Sequence, residues 1–187
     1  MVSLMNERTL RIKGGERITV RSMVEADAAT VVAGFQRLSA TSLRHRFFSP
    51  VPRLTPGVAA DLTAVDDQHL VLLAFDSGGR LVGGARANRH RDDPATAELA
   101  VTVGDQHQRR GLGTKLLRLL RAEAQLAGIE RLSGHVLLDN AAGQALLVAS
   151  HAVCWIDEPG VMGFEIPLGR RTVAPEIAAR RTLGLAS

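Results

Sequence analysis

The stretch Val103 to Leu117, VGDQHQRRGLGTKLL, constrains this chain more than any other. It ends an alternating apolar segment, crosses two arginines and two glycines, and enters a run where Leu112, Leu116, Leu117, Leu120, Ala124 and Ala127 recur at helical spacing until Gly128. A strand therefore runs into a long amphipathic helix through a corner more open than a bare turn requires. The first N–H groups of a helix lack intrahelical partners and lie at the positive end of its dipole, so such a corner suits a phosphate. Gly111 and Gly113 remove side chains that would block close approach, and Arg109 and Arg110 add charge.

Two well-known phosphate loops do not fit. No stretch supplies G-x-x-x-x-G-K-[ST]. The dinucleotide pattern G-x-G-x-x-G fails because Leu116 stands at its third glycine and no acid suited to a ribose follows.

The rest of the chain alternates short elements. Glu16–Met23 reads as a strand, and a helix with Asp27 at or near its start reaches about Leu38. Thr41–Phe48 reads as a short helix stopped by Ser49-Pro50 and Pro52, and Thr55-Pro56 starts a third. Strands follow at His69–Asp76 and Arg80–Arg89, joined by the hairpin signal Ser77-Gly78-Gly79, then at Ala95–Val103. After the long helix come a strand in ERLSGHVLL, a helix from Ala141 to Ser150, and a strand pair in VCWID and GFEIPL. The expectation is a leader over residues 1–14, one mixed domain over 15–168 and a polar tail over 169–187, where PEIAARRTL either forms a short helix or stays disordered.

Composition bounds the function classes. A chain of 187 residues with 45% hydrophobic residues supports one domain with a real core, and with 3% aromatics that core rests on Leu, Val, Ile and Ala. No apolar run approaches the ~20 residues that span a bilayer, and the charged N-terminus lacks a secretory pattern. The expectation is a cytoplasmic protein without a membrane partner. The single Cys154 allows no internal disulfide and reads as buried filler in a strand. The net charge of +4 invites a nucleic-acid reading, but the arginines are scattered and no basic run is interleaved with stacking aromatics, so a generally basic surface is expected. The six histidines show no zinc-like spacing, so no metal is expected, and G-x-S-x-G is absent.

A third loop type fits the corner. Gln108-Arg109-Arg110-Gly111-Leu112-Gly113 matches Q-x-x-G-x-G between a strand and a long helix, with ELAVTV before it and HVLLDN-AAGQALL after it. The chain from about Glu16 to Leu168 thereby resembles the GNAT acetyltransferase superfamily. The resemblance implies an α/β (α+β) fold: a twisted, mostly antiparallel sheet of about seven strands flanked by helices, splayed between the fourth and fifth strands of this reading. It implies acetyl-CoA as cosubstrate, its arm held by backbone groups at Val101 and Val103. Its pyrophosphate would lie on the N–H groups of Arg109, Arg110, Gly111, Gly113 and Thr114 in the loop that Gln108 opens. Asn140 matches the Asn that bonds the cofactor arm, and on local grounds it is an equally good N-cap for the next helix.

The acceptor would be a primary amine. AELAVTV and the segment Leu38–Phe48 (LSATSLRHRFF) are similar to stretches of bacterial Pat-type protein-lysine acetyltransferases. There the position of Glu98 is the general base and the RFF segment walls the acceptor cleft. Phe47 and Phe48 are expected in the core, with Arg46 and His45 left open. The tyrosine that protonates the leaving thiolate in many GNAT enzymes is replaced by Leu147, and the chain contains no tyrosine. Two other readings stay open: a small-amine N-acetyltransferase, and a CoA-binding module without turnover.

Overall fold

A computed structural model describes residues 5–48 and 55–169. In chain order they form strands β1 (Arg8–Arg11) and β2 (Arg17–Ser22), then helices α1 (Ala28–Gln36), α2 (Ala40–Phe47) and α3 (Pro56–Leu62). Strands β3 (His69–Phe75), β4 (Leu81–Arg89) and β5 (Thr96–Val103) lead into helix α4 (Leu112–Leu126). Strand β6 (Arg131–Leu137), helix α5 (Ala141–Ala149), β7 (Val153–Glu158) and β8 (Val161–Pro167) complete the chain. The stop at Ser49-Pro50 and Pro52 and the tail segment PEIAARRTL lie outside the described residues.

The strands make one eight-stranded sheet in the order β1-β2-β3-β4-β5-β6-β8-β7. Every neighbouring pair is antiparallel except β5–β6, because α4 carries the chain across before β6 begins. Helix α4 packs on β3, β4 and β5. Its fully buried Leu116, Leu120 and Ala124 meet Ile18, Leu72, Leu132 and Ile166 in the main core. On the opposite face a smaller cluster of Met23, Val31, Leu62 and Leu73 lies under the early helices, joined by half-buried Phe35 and Phe47. The sheet is thus covered on both sides around β3 and β4, while β7 is exposed along its whole length.

Three expectations are corrected. The sheet has one strand more than expected, because β1 occupies residues read as leader; RTLR is short, mostly exposed and on the sheet edge, so it shows no apolar alternation. Cys154 is exposed, since β7 is the other edge strand and no layer covers it. Phe48 is exposed at 42% in a left-handed conformation that ends α2, while Phe47 does pack, its ring 5.7 Å from that of Phe35.

One geometric feature sets up the site. Strands β5 and β6 pair only over Thr96↔Arg131, Ala97↔Leu132 and Glu98↔Ser133, after which they part. The ring of Phe164 lies at the point of separation, so close to Gly134 that a Cβ there would stand 2.9 Å from its Cζ and 3.3 Å from the Leu99 carbonyl. A side chain at 134 would therefore force the Phe164 ring to move where the sheet opens.

Candidate functional site

The gap between β5 and β6 is the deep end of a cleft of about 1140 Å³, walled by α2, the corner before α4, and the start of α5. Its floor follows from the hydrogen-bond ladder. Gly104 donates to Val82 and His90 donates to Thr96 across β4–β5, so the even-numbered residues of β5 exchange bonds with β4. Leu99, Val101 and Val103 consequently aim their N–H and C=O groups at the opened edge. The Val103 carbonyl is taken by Gln108 Nε2 at 3.1 Å, and the N–H of Val101 faces the gap.

The corner is built to leave donors free. After a short 3-10 turn over Asp105–His107, Arg109 adopts φ 56°, and Gly111 takes φ 82° as the N-cap of α4. No side chain caps this helix, so the amides of its first turn, among them Gly113 and Thr114, point outward unsatisfied. Gly111, Gly113, Thr114 and Arg109 all line the cleft. Lys13, which carried no sequence signal, lines it too: its N–H donates to the Arg110 carbonyl and so ties the β1–β2 turn to the corner.

Two residues of the expected cofactor loop have their side chains engaged within the protein. The Arg110 guanidinium pairs with Glu16 at 2.7 Å and donates to the Lys13 carbonyl at 3.0 Å, so it braces the corner from behind. The Glu16 carboxyl also receives His107 at 3.2 Å; desolvation alone would raise its pKa, but these two partners outweigh it and hold the pKa below the ordinary value. The Gln108 side chain turns inward, its Nε2 also donating to Ser42 Oγ at 3.0 Å. Asp105 completes this strut by accepting from the Ser39 N–H at 2.9 Å, the Ser39 hydroxyl at 2.7 Å and the Ser42 hydroxyl at 2.7 Å. Burial works against the Asp105 charge, yet these donors keep its pKa low. The loop and α2 are therefore fixed to each other.

Across the cleft, Asn140 caps α5 by accepting from the Gly143 N–H at 2.9 Å while lining the cleft, so its two expected roles are compatible. Asp139 beside it pairs with Arg44 at 2.6 Å and lies 3.4 Å from His45, joining α2 to the β6–α5 loop over the gap. Leu147 is buried and lines the cleft with no polar atom to offer.

Glu98 occupies the last paired position before the strands separate, exposed and lining the cleft. Among the described residues its carboxylate makes no hydrogen bond or ion pair. The same sheet face continues outward as Ser133 and Glu165, then as His135, Gly163 and Trp155, and it is open at His135 and at Trp155. Among the described residues the arrangement thus joins a row of free backbone donors, the cations Lys13 and Arg109, which make no ion pair, an opened strand edge and a free carboxylate.

Comparison with known proteins agrees with this geometry. The family model for the acetyltransferase (GNAT) family matches residues 38–150. Acetyltransferase Pat of Mycolicibacterium smegmatis is 29% identical over 159 residues, 84% of this chain and 47% of the relative, so the chain spans about half the length of that curated protein. The crystal structure of the GNAT domain of S. lividans PAT superposes with a TM-score of 0.78 at 29% identity, over 86% of this chain and 96% of that one. The yncA protein of Salmonella typhimurium, solved with its cofactor acetyl-CoA, shares the fold with a TM-score of 0.67 at 21% identity, covering 84% of this chain and 97% of that one. A strand pair that opens beside an uncapped glycine corner, matched over more than half its length by one family model, makes this chain a member of the GNAT acetyltransferase family.

Proposed function

We propose that the protein transfers acetyl from acetyl-CoA directly to a primary amine, a protein lysine, with Glu98 as general base. The observation that carries this reading is the free Glu98 carboxylate where β5 leaves β6, on the strand whose next opened-edge donors are Leu99 and Val101. Acetyl-CoA supplies an activated acyl thioester. The residues present fit it: the free amides at Gly111, Gly113 and Thr114 suit a pyrophosphate, Arg109 and Lys13 add charge, and the N–H groups of Val101 and Val103 suit its arm.

The chemistry then falls to this chain's own groups. A lysine with pKa near ~10.4 is neutral in only about one molecule in a thousand at physiological pH, a penalty of roughly 4 kcal/mol. Glu98 takes the proton as the amine nitrogen bonds to the acyl carbon. The Val101 N–H stabilises the oxyanion that develops. Collapse breaks the carbon–sulfur bond and releases CoA thiolate, and the second proton lost by the nitrogen passes to that thiolate through solvent, because Leu147 offers no acidic group. Among the described residues no cysteine or histidine-paired hydroxyl nucleophile lines the cleft, which favours direct transfer over an acyl-enzyme.

A protein acceptor is supported by the open sheet face next to Glu98, along which a chain can lie, and by the resemblance of AELAVTV and Leu38–Phe48 to segments of Pat-type protein-lysine acetyltransferases. Mass spectrometry of peptides and proteins incubated with acetyl-CoA tests this: acetyl-lysine is expected, whereas exclusive acetylation of small amines would overturn the protein-lysine assignment.

A further inference from the structure

Arg46 lies in the last turn of α2 and lines the cleft together with Glu98. Its neighbours on the same turn are engaged: Arg44 pairs with Asp139, and His45 stands beside the same carboxylate. Arg46 is half-buried, and among the described residues its guanidinium makes no hydrogen bond or ion pair. Its one specific contact is with the Phe47 ring, 5.0 Å from the centroid, which supports one face of the guanidinium and leaves its N–H edge free. A cation near a helix C-terminus is favourable, but the dipole does not require this side chain to turn inward.

The surroundings make the free edge costly. Behind Arg46 is an apolar hollow of about 70 Å³ lined by Val31, Phe35, Leu38 and Ala100. Arg86 lies on the same wall, buried, its charge placed by Asn88 at 2.9 Å and by Asp61 at 3.4 Å. Burial first, and repulsion from Arg86 second, push the Arg46 pKa below the ordinary arginine value; the Glu98 and Asp61 carboxylates oppose that only in part. Two guanidinium groups thus stand near one free carboxylate, Glu98, which the transfer step needs for the amine proton.

We propose that Arg46 is the anion-recognising residue of the acceptor cleft, and that the amine acetylated by this protein carries a carboxylate close to it. The inference rests on the reading of Glu98 as the base beside the acceptor amine. The carboxylate neutralises Arg46 through the planar fork of its guanidinium, which fixes orientation as well as charge. It comes either from an acidic residue next to the target lysine, whose Cα lies about 3.8 Å away along the chain, or from a free amino acid. A purely cationic amine, such as a polyamine, meets the unneutralised Arg46 charge and is a poor acceptor.

The test measures kcat/KM for matched lysine peptides with Glu or Gln beside the lysine, for free amino acids, and for spermidine. One arm substitutes succinyl-CoA for acetyl-CoA, and all arms use the wild type, Arg46→Gln and Arg46→Lys. In the wild type the Glu peptide is expected to exceed the Gln peptide by about tenfold to a hundredfold, the range of one charge-assisted pair. In Arg46→Gln the ratio falls to near one; Arg46→Lys gives an intermediate ratio, because lysine keeps the charge without the fork. CoA affinity by calorimetry is expected to be unaffected, which separates this role from a folding defect. Efficient peptide acetylation by the wild type without a Glu preference overturns the inference and leaves the protein-lysine reading standing. An Arg46-dependent preference confined to free amino acids sustains the inference and overturns that reading. A dependence that follows the succinyl donor instead of the acceptor overturns the inference.

Discussion

Gly113 allows a graded test of the corner. Its φ is not in the left-handed region, and a Cβ built there would meet Val103 Cγ2 at 3.7 Å and Val101 Cγ1 at 3.9 Å, which is ordinary contact. Gly113→Ala therefore fits without displacement, and in a helix it is expected to gain up to about 0.5–1 kcal/mol, raising Tm by a few degrees. CoA affinity should stay within about threefold, because a methyl group fills no more space than the contact distances leave. Valine differs. Its two further methyl groups meet Val101 and Val103 or project among the free amides, at an overpacking cost of about 1–3 kcal/mol, equivalent to roughly 5- to 150-fold if it falls on the ligand-bound state. Calorimetry with CoA, alongside thermal unfolding, reads both quantities. Wild-type CoA affinity in folded Gly113→Val would refute the placement of the pyrophosphate at this corner, and a large loss in Gly113→Ala would refute the contact argument.

Other expectations follow from the same contacts. Arg109 makes no ion pair among the described residues and Arg110 is bound to Glu16, so Arg109→Ala should weaken CoA binding in a way that fades as salt rises, while Arg110→Ala should chiefly lower Tm; calorimetry at two salt concentrations distinguishes them, and equal salt-dependent losses would contradict the assignment. Asp27 is buried and bonded to Arg21 twice at 2.7 Å and to the Val24 N–H at 2.9 Å, and Arg21 is the main cause holding its pKa below 3.8. Its stabilisation is thus present above that value and lost as pH falls through the lower folded value. Asp27→Asn should cost about 2–3 kcal/mol at pH 7 and flatten the acid limb of a stability–pH curve from chemical denaturation; an unchanged acid limb would show that Asp27 does not contribute to it.

Much of this architecture is legible in the residues. The apolar periodicity from Leu112 to Ala124 and the glycines at 111 and 113 place α4 and its uncapped start, and these long or conformationally constrained features dominate local preference. What stays hidden is long-range pairing. RTLR is a strand only because β2 lies beside it, and Lys13 reaches the cleft only because the following turn returns to Arg110. Arg109 and Arg110 are chemically identical neighbours, and the left-handed backbone at Arg109 sends them to different places. Gln108 fits the loop pattern, yet its partners Ser42 and Val103 show it acting as a strut between loop and helix. The place where β5 and β6 part is marked by the Phe164 ring against Gly134, residues thirty positions apart with no local signature.

The pH–rate profile of wild type and Glu98→Gln with a lysine-containing protein substrate tests the proposed function most directly. The substitution keeps size and polarity but cannot accept a proton. At neutral pH turnover is expected to fall about 100- to 10,000-fold with acetyl-CoA affinity retained, and the variant's rate should climb with pH towards the lysine pKa near ~10.4 as free amine accumulates. Near-normal turnover by Glu98→Gln at neutral pH, with a profile parallel to that of the wild type, would remove Glu98 from the proton transfer.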